Sequence, residues 1–146
     1  MCRCAIPAMI DAGGGSIVHM GSRTAIRGVP GTAARTASRG AIHALSRAIA
    51  VDFAPYNIRS NVVSPGAILG KERDGDADRD ATAALRLKET NLTRPPTTLD
   101  MAYTALFLAS SESGAITGHT IPVDGGGSAA SPYKAPPVVA ASLRKQ

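Results

Sequence analysis

Runs of apolar residues separated by turn residues predict three short strands and the helices between them. Strands are predicted where β-branched residues cluster and Gly, Ser or Pro ends the run, over Ser16–Met20, Ile58–Val63 and His119–Val123. The stretch from Thr32 to Ala54 predicts a long helix, because its apolar residues recur every three or four positions and Pro55 follows it. Strand, helix and strand in this order predict a parallel crossover unit.

Three further segments flank that unit. Residues 5–12 predict the end of a helix, which the glycines at 13–15 terminate. A second helix is predicted to begin near Thr98, with the hydroxyl of Thr98 as its cap. Between these elements, residues 70–97 are charged and weakly periodic, which predicts a solvated segment with room for a short helix over Ala81–Lys88.

The spacing of apolar residues also predicts the buried face of each helix. On the long helix the predicted buried residues are Ala41, Ala44, Leu45, Ala48, Ile49 and Phe53. On the helix that begins near Thr98 they are Met101, Ala105, Leu106 and Leu108.

Composition is that of one folded domain and speaks against nucleic-acid and membrane partners. The chain has 146 residues, of which 44% are hydrophobic and 18% charged, as in an ordinary single domain. The net charge is +5, but the basic residues are scattered instead of forming a stripe, so we expect no nucleic-acid partner. No run approaches the ~18 apolar residues of a membrane span, and a signal peptide's apolar stretch is missing, so we expect a cytoplasmic protein.

The sequence predicts no metal site. Cys2 and Cys4 lack the partner cysteines of a four-ligand zinc site and are interpreted as free thiols. Four aspartates alternate as at the start of a calcium loop, at Asp74, Asp76, Asp78 and Asp80. The sixth position of such a loop needs glycine and is Arg79, so a solvated charged loop is the better interpretation. His43 and His119 lack clustered ligands and are interpreted as structural or surface residues.

Taken together, four segments resemble the short-chain dehydrogenase/reductase family. They are GGGSIVHMGS, the long helix after GVPGTAA, NIRSNVVSPGAI and ALFLASSESGAITGHTIPVDGG, and the resemblance covers residues 5–127. It implies an α/β fold, namely a partial Rossmann-like doubly wound parallel sheet of three strands with flanking helices. The domain is expected to span residues 1–127, with residues 128–146 as a disordered tail.

The resemblance is to the later part of the family domain, so the chain is expected to be truncated and to lack the N-terminal cofactor-binding half. In relatives the glycine-rich turn, the residue that selects NAD or NADP, and a catalytic Asn lie upstream of residue 5. Neither GxGxxG nor GxxxGxG occurs in this sequence. Pro65, Gly66 and Ile68 match the loop that meets the nicotinamide carboxamide and are the expected cofactor-binding residues.

The resemblance also implies the positions of the catalytic residues. Ser22 matches the family's serine, whereas the tyrosine thirteen positions later and the lysine four beyond it are replaced by Arg35 and Arg39. The tyrosine hydroxyl, its pKa lowered by the lysine, exchanges a proton as the hydride moves. Arg35 cannot do this, because a guanidinium with a pKa above about 12 keeps its proton. No Tyr-x-x-x-Lys is formed by Tyr56, Tyr103 or Tyr133.

Neighbouring positions depart from the family pattern as well. His19 stands where an Asn is usual, and Gly21 replaces the first serine of the family's pair. Gly70 occupies a position that often holds a Thr in contact with the cofactor phosphates. With its partners replaced, Ser22 is either a catalytic remnant or a turn residue at the end of a strand.

Three functional hypotheses remain open. The first is an oxidoreductase by descent that has no turnover. The second is an interaction module, a homo-oligomer or a hetero-oligomer with related dehydrogenases, that uses the Ala-rich face of the long helix. The third is a working enzyme with an unusual proton donor.

Overall fold

The three predicted strands form one parallel sheet. The computed structural model describes residues 1–68 and 79–129. Its strands stand in the order β1-β2-β3, with the bounds β1 Gly15–Met20, β2 Ile58–Pro65 and β3 Thr120–Val123. The central strand, β2, is almost entirely buried, whereas β1 is half-buried. The predicted partial Rossmann-like sheet is therefore confirmed.

Four helices connect and cover these strands in the described part of the chain. Their bounds are α1 Cys2–Asp11, α2 Ala33–Asp52, α3 Arg79–Leu87 and α4 Thr98–Ala109. α1 precedes β1, α2 connects β1 to β2, and α4 precedes β3. None of these helices is both long and apolar enough to cross a lipid bilayer. Of the predicted tail, 128–146, the residues from 130 onward lie outside the described residues, as do Gly70 and the aspartates at 74, 76 and 78. Ser128 is not part of a disordered tail, because its backbone N–H donates to the Asp124 carboxylate at 2.7 Å.

Apolar clusters lie on both faces of the sheet. One contains Ile6, Ile49 and Ile58 and is covered by α1 and α2. The other contains Val63, Met101 and Leu108 and is covered by α4. Ile58 and Val63 belong to different clusters because alternate residues of a strand point to opposite faces.

Apolar spacing predicted the buried face of α2 only in part: Ile49 is buried and Phe53 packs against its cluster, whereas the other four predicted residues are exposed. The residues that face the sheet are His43, Ser46, Ile49 and Ala50. The exposed ones include Ala41, Ala44, Leu45 and Ala48. The rest of the prediction was wrong because a polar side chain is readily buried when it finds a partner. Here the Ser46 hydroxyl lies 3.0 Å from the Ser60 hydroxyl on β2.

The N-terminus of α4 is capped by Thr97, not by Thr98 as predicted. The Thr97 Oγ1 accepts a hydrogen bond from the Asp100 backbone N–H, and the Asp100 carboxylate accepts one from the Thr97 backbone N–H. The Arg94 guanidinium donates two hydrogen bonds to the same carboxylate. These bonds, with those from Thr97, hold the pKa of Asp100 well below its usual range.

The C-terminus of α4 is tied to β2 by one arginine. The Arg59 guanidinium donates to the carbonyl oxygens of Leu108 and Ser110, at 3.1 and 2.9 Å, and to the Ser113 hydroxyl, at 2.8 Å. A cation at this position satisfies carbonyls that have no partner within the helix, and it opposes the negative end of the helix dipole.

The segment after α3 is anchored to the turn after β3. The short helix predicted over Ala81–Lys88 is confirmed as α3, and the predicted solvated segment is wrong for Thr90, although residues 91–94 are exposed. The Thr90 side chain is buried, and its hydroxyl donates to the Gly125 carbonyl at 3.0 Å. The Asn91 amide donates to the Gly126 carbonyl, also at 3.0 Å. Both glycines have positive φ, which explains why the predicted glycine turn holds glycine there.

Two leucines of α4 test the corrected packing of that helix. Leu108 is 0% exposed and Leu106, predicted to be buried, is 67% exposed. We expect Leu108→Ala to lower the free energy of unfolding by roughly 2–5 kcal/mol, because it leaves a cavity under the sheet. Leu106→Ala should change it by less than about 0.5 kcal/mol. Urea unfolding followed by circular dichroism measures both, and equal losses would contradict this packing.

Candidate functional site

A cleft opens where β1 and β2 end. Met20 pairs with Val63 in the parallel register, so the turns that follow the two strands lie side by side. The cleft has a volume of about 270 Å³. From the turn after β1 and the start of α2 it is lined by Ser22, Arg23, Thr24, Val29, Thr32 and Arg35. From the turn after β2 and from the α3 region it is lined by Gly66, Ala67, Ile68, Arg86 and Glu89.

Ser22 is both a cleft residue and a turn residue. Its side chain is buried, and its hydroxyl oxygen accepts hydrogen bonds from the backbone N–H of Thr24, at 3.3 Å, and from the Thr24 hydroxyl, at 3.1 Å. These bonds cap the short 3-10 helix Arg23–Ala25. The Ser22 hydroxyl proton has no acceptor among the described residues and is free for a ligand.

The two arginines that the resemblance places at the tyrosine and lysine positions point to different places. Arg35 lines the cleft with Ser22, and its side chain is exposed. Arg39 is not a lining residue, because its guanidinium reaches back to the carbonyl oxygen of Met20 at the end of β1, at 2.9 Å. Arg39 therefore donates a hydrogen bond at the end of β1. Of these two arginines, only Arg35 lines the cleft with Ser22.

Two of the three expected cofactor-binding residues line the cleft. Gly66 and Ile68 are lining residues, whereas Pro65, the last residue of β2, pairs with Val123 and does not line it. A Cβ on Gly66 would lie 2.5 Å from the Cβ of Asp124. Glycine at 66 is thus explained by the close approach of the chain's own backbone.

An ion pair inside the cleft was missed by the sequence analysis. The Arg23 guanidinium donates to a carboxylate oxygen of Glu89. Arg86, at the end of α3, also lines the cleft. Arg23 and Glu89 are far apart along the chain, and no local spacing signals their meeting. The lining residues that the structure describes therefore carry three guanidinium groups and one carboxylate.

Comparison with known proteins assigns the chain to a family. The family model described as Enoyl-(Acyl carrier protein) reductase matches residues 1–128. The chain belongs to the short-chain dehydrogenase/reductase family. It is 38% identical over 124 residues to the cyclopentanol dehydrogenase of Comamonas sp. strain NCIMB 9872, and this match covers 85% of the chain and 50% of that protein.

Two further relatives bear on function. One is named inactive 2-(S)-hydroxypropyl-CoM dehydrogenase 2, from Xanthobacter autotrophicus, and is 36% identical over 85% of the chain and 56% of that protein. The other is a gluconate 5-dehydrogenase from Burkholderia cenocepacia, whose crystal structure is in complex with NADP and tartrate. The match has a TM-score of 0.77 and 28% sequence identity, and it covers 89% of this chain and 51% of that one. The chain thus spans about half the length of the curated relatives it matches.

A buried histidine explains why glycine replaces a family serine just before Ser22. His43 is 6% exposed, and a Cβ on Gly21 would collide with its Nε2 and lie 2.6 Å from the Cγ1 of Val62. Burial lowers the pKa of His43, and the positive charge of Arg47 acts in the same direction. Its Nε2 has no hydrogen-bond partner among the described residues.

The other two histidines have separate environments. The Nε2 of His19 lies 3.2 Å from the Ser60 hydroxyl, and burial lowers the pKa of this imidazole. His119 is exposed. Within residues 1–68 and 79–129 no three His, Cys, Asp or Glu side chains come together in a way that could hold a metal ion.

The contact between positions 21 and 43 is testable by substitution. We expect Gly21→Ala to lower the free energy of unfolding by about 1–3 kcal/mol, because the added methyl group has no space. Gly28→Ala is the matched control, since nothing lies within 4 Å of a Cβ there, and it should not destabilise the fold.

A double-mutant cycle separates this clash from other causes. Gly21→Ala combined with His43→Ala should be less destabilised than the sum of the two single changes, because the second change removes the colliding ring. Chemical denaturation of the four proteins gives the coupling energy. Strict additivity would show that His43 does not set the space at position 21.

Proposed function

We propose that this member of the short-chain dehydrogenase/reductase family does not transfer hydride by the tyrosine route of its family. The family's relatives are NAD(P)-dependent oxidoreductases. The observation that carries the proposal is that Arg35 lines the cleft beside Ser22, where the resemblance places the tyrosine.

Proton exchange is the step that this cleft lacks. Hydride transfer to a carbonyl needs a group that gives its proton near the working pH and recovers it afterwards. Among the described lining residues the ionisable groups are three arginines and Glu89. A guanidinium keeps its proton, and Glu89 is paired with Arg23. No phenol, thiol or imidazole is among these lining residues.

The edge of the cleft at Gly66 and Ile68 is where the nicotinamide end of a dinucleotide would lie. Dinucleotides bind at the carboxyl ends of parallel strands, and Gly66 and Ile68 line the cleft at that edge. We propose that these two residues would contact the carboxamide of NAD or NADP. The bound cofactor would supply or accept the hydride. The glycine spacing that cradles a pyrophosphate does not occur in this sequence.

Two further observations support this proposal, one on activity and one on the cellular compartment. A relative with 36% identity is itself named inactive, so loss of activity has a parallel among similar chains. Cys2 and Cys4 are free thiols, as expected for a protein of the cytoplasm, where we place this one.

A turnover assay tests the proposal. Purified chain is incubated with NADH or NADPH and cyclopentanone, and nicotinamide absorbance is followed; we expect no turnover above that of heat-denatured protein. Fluorescence titration of NADH in the same preparation reports binding separately. Where NADH binds, Arg35→Tyr with Arg39→Lys should give turnover about 100-fold or more above the heat-denatured background, since a phenol then exchanges the proton. Turnover by the unaltered chain that Arg35→Gln abolishes would contradict the proposal.

A second candidate function is association with copies of this chain or with related dehydrogenases. The outer face of α2 carries apolar side chains, with Leu45 49% and Val51 75% exposed. Burying such a face is favourable in proportion to its apolar area.

Sedimentation velocity tests this candidate. We expect the chain to form dimers or larger oligomers that Leu45→Glu dissociates, because a carboxylate would be buried in the interface. Leu85→Glu, at a 60% exposed leucine of α3, is the control and should leave the distribution unchanged. A monomer at all concentrations, alone and with a related dehydrogenase, would exclude association.

A further inference from the structure

We propose that the cleft beside Ser22 binds a small organic anion that carries a carboxylate or phosphate group, held by Arg35 and Arg86. The inference rests on the proposed function, in that it assigns a ligand class to the same cleft. It follows from three features of the walls: their charge, their hydrogen-bonding groups and the space between them.

Positive charge is in excess in the cleft. Among the described lining residues there are three arginines and one carboxylate, and Arg23 is paired with that carboxylate, which belongs to Glu89. Arg35 and Arg86 line the same space, and neither guanidinium group has a hydrogen-bond or ion-pair partner among the described residues. Two unpaired guanidinium groups around one open cleft attract an anion and repel a cationic ligand.

The side-chain groups of Ser22, Arg35 and Arg86 that remain free in the cleft are hydrogen-bond donors. The Ser22 oxygen already accepts from both the N–H and the O–H of Thr24, so what it still offers is its own proton. A guanidinium has N–H donors and no acceptor. Carboxylate and phosphate groups accept at every oxygen, and the planar fork of arginine engages two of these oxygens at once. The walls therefore complement an oxyanion more closely than a neutral ketone.

The size of the cleft limits the ligand. About 270 Å³ is the volume of roughly nine water molecules at ~30 Å³ each, which suits a phosphate ester or a short carboxylic acid. Arg35 and Arg86 are exposed, so solvent screens each contact and each one contributes modestly. We therefore expect weak binding that depends on both arginines.

Inorganic phosphate is the probe for the test, without nicotinamide present. Phosphate is titrated into the ¹⁵N-labelled full chain at constant ionic strength, kept with chloride, and backbone amide shifts are recorded. We expect saturable shifts of the Ser22, Thr24 and Gly66 amides. Arg35→Gln and Arg86→Gln should each weaken binding about fivefold, whereas Arg47→Gln, an exposed arginine on the same helix as Arg35 that does not line the cleft, should leave it unchanged.

The remaining outcomes decide between the inference and its alternatives. Absence of saturable shifts at these amides, or equal weakening by Arg47→Gln, overturns the inference, since the first shows no site and the second a general charge effect. A succinate titration assigns the carboxylate or phosphate preference, and a preference for either supports the inference. Unchanged dispersion of the amide spectra establishes that each variant is folded. If phosphate does not bind, the proposal that the chain does not transfer hydride by the tyrosine route still stands. If the chain turns over nicotinamide, the proposed function is refuted, but the phosphate result is not affected.

Discussion

The parallel pairing of β1 with β2 is the constraint on which the cleft depends. Ser22 and Gly66 are distant in the sequence and meet because Met20 pairs with Val63 and both strands end at the same edge. A slip of one residue would turn every side chain of β1 to the opposite face. Buried polar contacts help to fix the arrangement, since Ser46 of the crossover helix meets Ser60 of β2 at 3.0 Å.

Local patterns predicted the elements of this fold well, and contacts between distant residues account for what they missed. The β-branched runs identified the strands because buried parallel strands need such residues. The inward face of α2 was not predictable from apolar spacing, because Ser46 is buried through a bond to a residue on another element. The cap of α4 was predictable: Thr97 has an acidic residue three positions on, at Asp100, as a capping box requires.

The backbone segments that form the candidate site were predictable from the sequence, but the arrangement of its charged side chains was not. The family motif indicated Ser22, Arg35 and the residues after β2, and all of these regions contribute to one cleft. Arg39 matched the lysine position in the sequence, yet its side chain turns to the end of β1. The pair of Arg23 with Glu89 joins segments that share no local signal. The same fold can thus hold side chains of quite different chemistry, so activity has to be inferred from the residues of the site and not from the fold.

The central claim is that none of the described residues lining the cleft exchanges a proton with a carbonyl oxygen as hydride arrives. Single-turnover transfer of deuterium from NADH deuterated at C4 is its most direct measure, because mass spectrometry of the alcohol product detects even one slow event per protein molecule. The account predicts no deuterium on the carbinol carbon of cyclopentanol beyond that found with heat-denatured protein. Deuterium incorporation that disappears in Arg35→Gln would contradict it.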